Sequence, residues 1–173
     1  MSDKQKVLYN NEVNLIIDEL PDNCTINNGA VLAMRLMQTT SWPGLFIEGE
    51  AGPKFEWILE MCQNNPKDKL VVFSNFENTV RALTDYLNKN KVKAVQITGK
   101  RSEEENEDAK KKFLSIDRVQ VLSGTIKSLG KAYDGLQTVS RLMVFVDRDW
   151  SPGNMNQAED RLNRMGQTGT VGV

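Results

Sequence analysis

The short apolar run Leu70-Val71-Val72-Phe73 constrains the fold of this chain more than any other stretch. Apolar runs of this length, without alternating polar residues, are typical of strands that are buried on both faces of a parallel sheet. Further strand-like runs occupy residues 93–98, 119–122 and 142–146, and helical patterns separate them. This alternation predicts an α/β fold in which a parallel β-sheet has helices on both faces.

An N-terminal helical segment precedes the predicted sheet. Three helices are expected there, the first ending before Pro21, the second running from Gly29 to Gln38 after an Asn28 cap, and the third opening at Gly52-Pro53. We therefore divide the chain into a helical segment over residues 1–66 and a domain over residues 67–173. Another strand is expected where the sequence ends, so the second domain is predicted to be truncated at its end.

Two Ser-x-x-Glu sequences follow predicted strands. Ser74 lies three residues before Glu77, and Ser102 lies three residues before Glu105. In a capping box, the serine hydroxyl and the glutamate carboxylate each accept a backbone N–H at the start of a helix. Both sequences therefore predict a helix that begins directly after the serine.

The stretch from Pro152 to Gly166 predicts one more helix. Pro152-Gly153 is typical of a turn and Asn154 is a suitable N-cap, so the helix is expected over residues 155–165. Its polar face consists of Gln157, Asp160, Arg161 and Arg164. Two guanidinium groups one turn apart suit a polyanion, because arginine offers forked donors to phosphate oxygens. A solvated face with an Asp160–Arg164 ion pair explains the same spacing.

The composition excludes some classes of catalytic and metal-binding site. The chain has no histidine, and its two cysteines show no pairing pattern, so a histidine general base and a Cys/His zinc site are excluded. A net charge of -1 gives no general attraction to nucleic acid, so contact with DNA requires local basic patches. The sequence shows neither a signal peptide nor an apolar run near the roughly 20 residues of a membrane helix. We therefore expect no membrane partner, and a cytoplasmic location, or a nuclear one in a eukaryote.

The most specific motif is the run Gln157-Ala158-Glu159-Asp160-Arg161-Leu162-Asn163-Arg164-Met165-Gly166-Gln167, entered through Asp147-Arg148-Asp149-Trp150-Ser151-Pro152-Gly153-Asn154. It resembles motif VI of the Swi/Snf-type DNA translocases of helicase superfamily 2, and the HARP-type annealing helicases in particular. In that family, two arginines reach the ATP phosphates across a cleft between two RecA-like domains, and the second acts as an arginine finger. The resemblance implies that Arg161 and Arg164 are catalytic and that Gln157 belongs to the nucleotide site.

Other motifs extend the resemblance along the RecA-like domain. Contacts with DNA are implied for Ser74-Asn75, which resembles motif IV, for the loop Gly99-Lys100-Arg101, and for Gly124-Thr125, which resembles the start of motif V. Asp134-Gly135 is implied to approach the nucleotide, although a plain surface turn explains this pair equally well. Helix capping likewise explains Ser74. Asn106 stands where the family usually has an arginine, seven residues after the loop glycine.

The chain lacks the two motifs that bind nucleotide in helicase-type ATPases. It has neither a Gly-x-x-x-x-Gly-Lys-Ser/Thr loop nor a Walker B acid in the matching context. We therefore expect that ATP with Mg²⁺ is held mainly by a first RecA-like domain, in the same or another chain, and that this chain alone does not hydrolyse ATP. The expected partner is duplex DNA. Two alternatives remain, which are a non-catalytic module that binds nucleic acid or protein and half of an RNA helicase.

Overall fold

A computed structural model describes residues 1–19, 26–129, 135–160, 163 and 170–172. For residues 12, 15–19 and 26–29 it describes the backbone only. The chain divides into two compact units, Met1–Trp57 and Ile58–Val173. Within the described ranges, no helix has both the length and the apolar character needed to cross a membrane. The division into a helical segment over residues 1–66 and a domain over residues 67–173 stays a prediction.

The first unit is helical. It contains α1 (Asp3–Glu19), α2 (Ile26–Ser41), a 3₁₀ turn at Pro43–Leu45 and the first residues of α3 (Pro53–Asn64). The side-chain amide of Gln5 donates to the backbone carbonyl of Thr39 at 2.8 Å, which joins α1 to α2. The third helix begins at its proline as predicted, because proline is pre-organised for the first helical position. The second begins at Ile26, so the expected Asn28 cap is wrong.

The second unit alternates strands and helices. Its strands are β1 (Lys69–Ser74), β2 (Ala94–Ile97), β3 (Val121–Thr125) and β4 (Ser140–Phe145). Its helices are the rest of α3, α4 (Glu77–Lys89), α5 (Glu103–Ser115), α6 (Ile126–Leu129) and α7 (Pro152–Glu159), with a 3₁₀ turn at Leu136–Thr138. The strands pair in the order β2-β3-β1-β4, and every pairing is parallel. The predicted parallel α/β fold is therefore confirmed.

The sheet is buried on both faces, as the apolar run of β1 predicts. Val71 and Phe73 belong to the core cluster that includes Phe113 of α5. Because successive side chains on a strand point to opposite faces, Val72 and its partner Ser123 belong to the other face. Ser123 Oγ lies 2.6 Å from Thr84 Oγ1 of α4, so α4 covers that face. Helices thus lie on both sides of the sheet.

The third strand extends further than its apolar residues predict. The apolar run predicts a strand over residues 119–122, but β3 begins at Val121 and has Ser123, Gly124 and Thr125 as its last three residues. Gly124 pairs with Phe73 on one side and Ile97 on the other. A Cβ atom at Gly124 would lie 2.5 Å from the Leu129 side chain. Glycine allows this close packing. The apolar pattern does not predict the end of the strand, because Ser123, Gly124 and Thr125 are not strongly apolar.

The two predicted capping boxes differ in outcome. At α5 the box is confirmed, because Ser102 Oγ accepts from Glu105 N at 3.2 Å and Glu105 Oε2 accepts from Ser102 N at 3.0 Å. At α4 the prediction is wrong, because the helix has Phe76 as its N-cap and no side-chain cap. The hydroxyl of Ser74 instead donates to a carboxylate, which is a stronger bond than one between neutral groups.

The last described helix, α7, begins earlier than predicted. Pro152-Gly153 forms its first turn rather than a preceding turn, and Ser151 is the N-cap residue in place of Asn154. Proline at the first helical position explains the shift, since its missing N–H has no helical partner to lose. The helix also ends earlier than residue 165, because α7 stops at Glu159 with Asp160 as its C-cap. Arg161 and Arg164 lie outside the described residues, so their roles stay a prediction.

Candidate nucleic-acid interface

The carboxyl ends of the four strands meet at one edge of the sheet, because all strands run parallel. We call this the carboxyl edge, and it is defined by the strand-end residues Ser74, Ile97, Thr125 and Phe145. The predicted DNA contacts Ser74-Asn75, Gly99-Lys100-Arg101 and Gly124-Thr125 are at or directly after three of these ends. Tertiary structure therefore brings together three motifs that are far apart in sequence.

A buried carboxylate joins two of the strand ends. Asp147 is 6% exposed and follows β4. Its Oδ2 accepts from Ser74 Oγ at 2.6 Å, and its Oδ1 accepts from the Asn75 backbone N–H at 2.6 Å. The side-chain amide of Asn75 also donates to the Arg148 carbonyl at 2.9 Å. We call this group the Asp147 junction, and it connects the motif IV residues to the entry of motif VI.

The sequence prediction gave Asp147 a place at a strand end but no role. Buried carboxylates require hydrogen-bond partners, so an aspartate directly after a buried strand signals a polar cluster. That signal predicts a cluster without naming its partners. Ser74 is 73 residues away in sequence, and only the pairing of β1 with β4 places it within reach.

The predicted contact residues differ in accessibility. Ser74 is 1% exposed and Gly124 is also buried, so both are in the packed part of the carboxyl edge. Gly99 and Lys100 are exposed, and Asn75, Arg101 and Thr125 are partly exposed. Thr125 Oγ1 donates to Ser128 Oγ at 2.7 Å, which orders the turn into α6. The exposed and partly exposed residues form the accessible surface of the candidate interface.

The Gly99-Lys100-Arg101 loop is held by ion pairs and by a buried amide. Lys100 Nζ lies 3.6 Å from Glu77 Oε2, and Arg101 Nη2 lies 3.4 Å from Glu105 Oε1. The hydrogen bond from the Ser102 backbone N–H, aided by Arg101, lowers the pKa of Glu105. At the base of the loop, Asn106 accepts from Thr98 N at 3.2 Å and donates to Thr98 O at 2.9 Å. Asn106 therefore supports the loop from inside.

The segment before α7 presents polar and aromatic surface. Asp149 accepts from Ser151 N at 2.8 Å and from Asn154 Nδ2 at 3.0 Å, which shapes the start of the helix. Trp150 is 75% exposed, although tryptophan is usually well buried. Gln157 is exposed on α7. Trp150 had no predicted role, and its apolar character alone did not distinguish it from a core residue.

The nucleotide-site predictions are only partly within the described residues. Gly135 has φ of 101°, the left-handed region that glycine adopts readily, and it is the N-cap residue of the 3₁₀ turn at Leu136–Thr138. Asp134 lies outside the described residues, as do both motif VI arginines. Among the residues that the structure describes, no group of three or more His, Cys, Asp or Glu side chains could hold a metal ion. Burial raises the pKa of Cys62 to about 11, so its thiol is unreactive.

Comparison with known proteins identifies the family of this chain. The family described as helicase conserved C-terminal domain matches residues 53–166. The SWI/SNF-related matrix-associated actin-dependent regulator of chromatin subfamily A-like protein 1 of Bos taurus is 29% identical over 119 residues, which are 68% of this chain and 12% of that protein. The DNA annealing helicase and endonuclease ZRANB3 of Homo sapiens is 29% identical over 150 residues, which are 86% of this chain and 13% of that protein. The chain thus spans about an eighth of the length of these relatives.

Solved structures share the fold. The Sulfolobus solfataricus SWI2/SNF2 ATPase core in complex with dsDNA superposes with a TM-score of 0.81 at 22% identity, covering 99% of this chain and 37% of that chain. The C-terminal domain of the same ATPase superposes with a TM-score of 0.75 at 20% identity, covering 88% of this chain and 70% of that chain. The fold is therefore the RecA-like fold of those domains. This chain belongs to the helicase conserved C-terminal domain family, in its Swi/Snf-type branch.

Proposed function

We propose that this chain is the second motor domain of a DNA-dependent ATPase that translocates along duplex DNA. The observation that carries the proposal is the carboxyl edge, where Asn75, Gly99-Lys100-Arg101 and Thr125 come together from three strand ends. Exposed backbone, amide and cationic donors of this kind suit the phosphates of a nucleic-acid backbone. The dsDNA-bound Sulfolobus solfataricus core supports duplex DNA as the partner.

ATP and Mg²⁺ belong mainly to a first RecA-like domain in this proposal, in the same or another chain. The donor set of this chain fits that division, since its described residues offer no cluster of carboxylates for a metal ion. When bound, ATP supplies the free energy of phosphoryl transfer. This chain contributes Arg161 and Arg164 to the charged phosphoryl group, with Gln157, Asp134 and Gly135 next to the nucleotide.

The Asp147 junction is proposed to hold the DNA side and the nucleotide side in one arrangement. Asn75 contributes its backbone N–H and its side-chain amide to the segment 147–148, and that segment leads directly into α7. Ser74 acts here as a positioning residue, because its buried hydroxyl is occupied by Asp147. A displacement of Asn75 by DNA is thereby transmitted to the start of motif VI.

The proposal is tested in a motor that contains this domain together with its first RecA-like domain. ATP hydrolysis is measured with duplex DNA, with RNA and without nucleic acid. We expect stimulation by duplex DNA, and we expect Arg164→Ala to lower kcat on the order of a thousandfold or more, as loss of an arginine finger does. DNA affinity should stay within a few-fold, because the proposal assigns Arg164 to the nucleotide rather than to DNA.

Arg118→Ala is the matched control, since Arg118 is exposed and precedes β3, at the opposite end of the strand from the carboxyl edge. It should leave kcat and DNA affinity unchanged. Wild-type turnover in Arg164→Ala would refute the arginine finger. Stimulation by RNA alone would identify half of an RNA helicase, and absence of any hydrolysis would favour a non-catalytic binding module.

A further inference from the structure

A groove of about 310 Å³ opens beside the carboxyl edge. Its walls are the start of α4, the end of β2 and the start of α5, and they include Glu77, Arg81, Gln96, Lys100, Arg101 and Glu105. Two of these residues, Lys100 and Arg101, belong to the candidate DNA loop. The groove therefore continues the proposed interface towards the outer strand of the sheet.

The charges in this groove do not cancel. Three cationic side chains and two carboxylates line it. The carboxylate of Glu77 is paired with Lys100, and that of Glu105 is paired with Arg101. Arg81 is exposed, and within the described part of the chain its guanidinium has no hydrogen-bond or ion-pair partner. The groove thus has one net positive charge in a chain whose net charge is -1.

Two polar atoms in the walls of the groove have unused hydrogen-bonding capacity. Arg101 Nε and Gln96 Oε1 are buried, and neither has a hydrogen-bond partner among the residues that the structure describes. Buried polar groups are nearly always satisfied, and an ion or water commonly supplies the missing partner. An oxyanion gives Arg101 Nε an acceptor, and a water held by that oxyanion can donate to Gln96 Oε1. The two atoms together fit a hydrated oxyanion better than a cation.

We propose that this groove binds a phosphate of the nucleic-acid backbone, with Arg81 as its principal cation. The inference rests on the proposed function, because it adds one phosphate contact to the DNA interface of the same edge. Arginine suits the site, since its planar fork can give two hydrogen bonds to one phosphate. Glu77 and Glu105 hold Lys100 and Arg101 in place beside Arg81, so the bound phosphate meets three ordered cations.

The test compares three variants of the 173-residue chain. Arg81→Gln removes the charge, Arg81→Lys keeps it without the fork, and Arg118→Gln removes an exposed arginine that precedes β3, away from the groove. Binding of a fluorescent duplex is measured by anisotropy from about 50 to 200 mM salt. Arg81 is exposed, so none of the changes affects the core, and circular dichroism confirms folding.

Loss of one phosphate contact lowers the slope of log K against log salt by about 0.9. We expect this change for Arg81→Gln, an unchanged slope with weaker binding for Arg81→Lys, and wild-type behaviour for Arg118→Gln. If Arg81→Gln and Arg118→Gln have the same slope as the wild type, the groove binds no backbone phosphate and the inference is overturned.

A second measurement separates backbone phosphate from a free anion. Inorganic phosphate is titrated at constant ionic strength, and the Arg81, Gln96 and Arg101 side-chain signals are followed by NMR. Shifts that saturate in the wild type and vanish in Arg81→Gln support the site, whereas their absence overturns it. Shifts without any binding of duplex or single-stranded DNA would overturn the nucleic-acid assignment. If the wild-type chain does not bind DNA, the proposed function is refuted. If the wild type binds DNA and Arg81→Gln leaves the salt dependence of binding unchanged, only the groove inference is refuted.

Discussion

The two Ser-x-x-Glu sequences of this chain are alike locally and differ in structure. Ser102 and Glu105 exchange hydrogen bonds with each other's backbone N–H at the start of α5. Ser74 directs its hydroxyl across the sheet to Asp147, and α4 begins without a side-chain cap. A capping pattern is therefore followed where no stronger partner is near, and it is overridden where a buried carboxylate is within reach.

The largest effect is expected for Asp147→Ala, which removes the partner that distinguishes the two serines. The buried Ser74 Oγ and the partly buried Asn75 N–H would both lose their acceptor. We expect a loss of about 3 kcal/mol in the free energy of unfolding, measured by urea denaturation. Asp108→Ala is the control, because Asp108 is exposed and its bond to Lys112 is a surface pair. Equal losses in both variants would show that Asp147 contributes no more than a surface charge.

Ser74→Ala should have the next largest effect. It removes one of the two hydrogen bonds to Asp147 and the acceptor of the Phe76 N–H. Since hydrogen bonds to charged groups are stronger than those between neutral groups, we expect a loss of about 2 kcal/mol in the free energy of unfolding. The same substitution in an Asp147→Ala background should cost much less, because the partner is already absent. Full additivity of the two losses would contradict the junction.

Ser102→Ala tests the Ser-x-x-Glu sequence at the start of α5. It should lower the free energy of unfolding by about 1 kcal/mol, which is the usual effect of losing an N-cap. Its loss should not depend on Asp147, in contrast to that of Ser74. Ser102→Asp keeps an acceptor at the cap and should retain nearly all of the stability. The comparison fails if Ser102→Ala couples energetically to Asp147→Ala.

The smallest effect is expected for the contribution of Glu105 to the pH dependence of stability. The pKa of Glu105 is lowered from 4.5 by the Ser102 backbone N–H and by Arg101. A lowered folded pKa means that the ionised form adds stability above pH 4.5, and this is lost as pH falls through the folded value. Glu105→Gln keeps a side-chain oxygen that can accept from the Ser102 backbone N–H, but it lacks the charge. Its unfolding midpoint should lie slightly below the wild type at neutral pH, and the two midpoints should converge as the pH falls below the folded pKa of Glu105.

Prediction from sequence was most successful where a pattern depends on periodicity. The buried run of β1 predicted a parallel sheet, and the helices on both faces followed from the residues between the strands. The boundary errors have a common cause. Ser123, Gly124 and Thr125 belong to β3 through pairing with neighbouring strands, and Pro152-Gly153 belongs to α7, although their residue types are typical of turns.

The candidate site was predicted in part. The exposed loop Gly99-Lys100-Arg101 could be found from its glycine and its cations. Asp147, Trp150 and Arg81 had no assigned role, because their significance depends on which residues surround them. Asp147 requires Ser74 from another strand, and Arg81 gains its meaning from a groove whose other cations are on a different loop. The placement of Arg161, Arg164 and Asp134 remains a prediction.

The class of fold and the family can be predicted from local sequence, because apolar patterns and the spacing of motif VI are properties of neighbouring residues along the chain. The partners of each polar group depend instead on how the strands and helices pack. Whether Ser74 caps a helix or binds Asp147 depends on a pairing between strands that are about 70 residues apart. Hydrogen bonds and charges act over a few ångströms in space, and sequence distance does not record that separation.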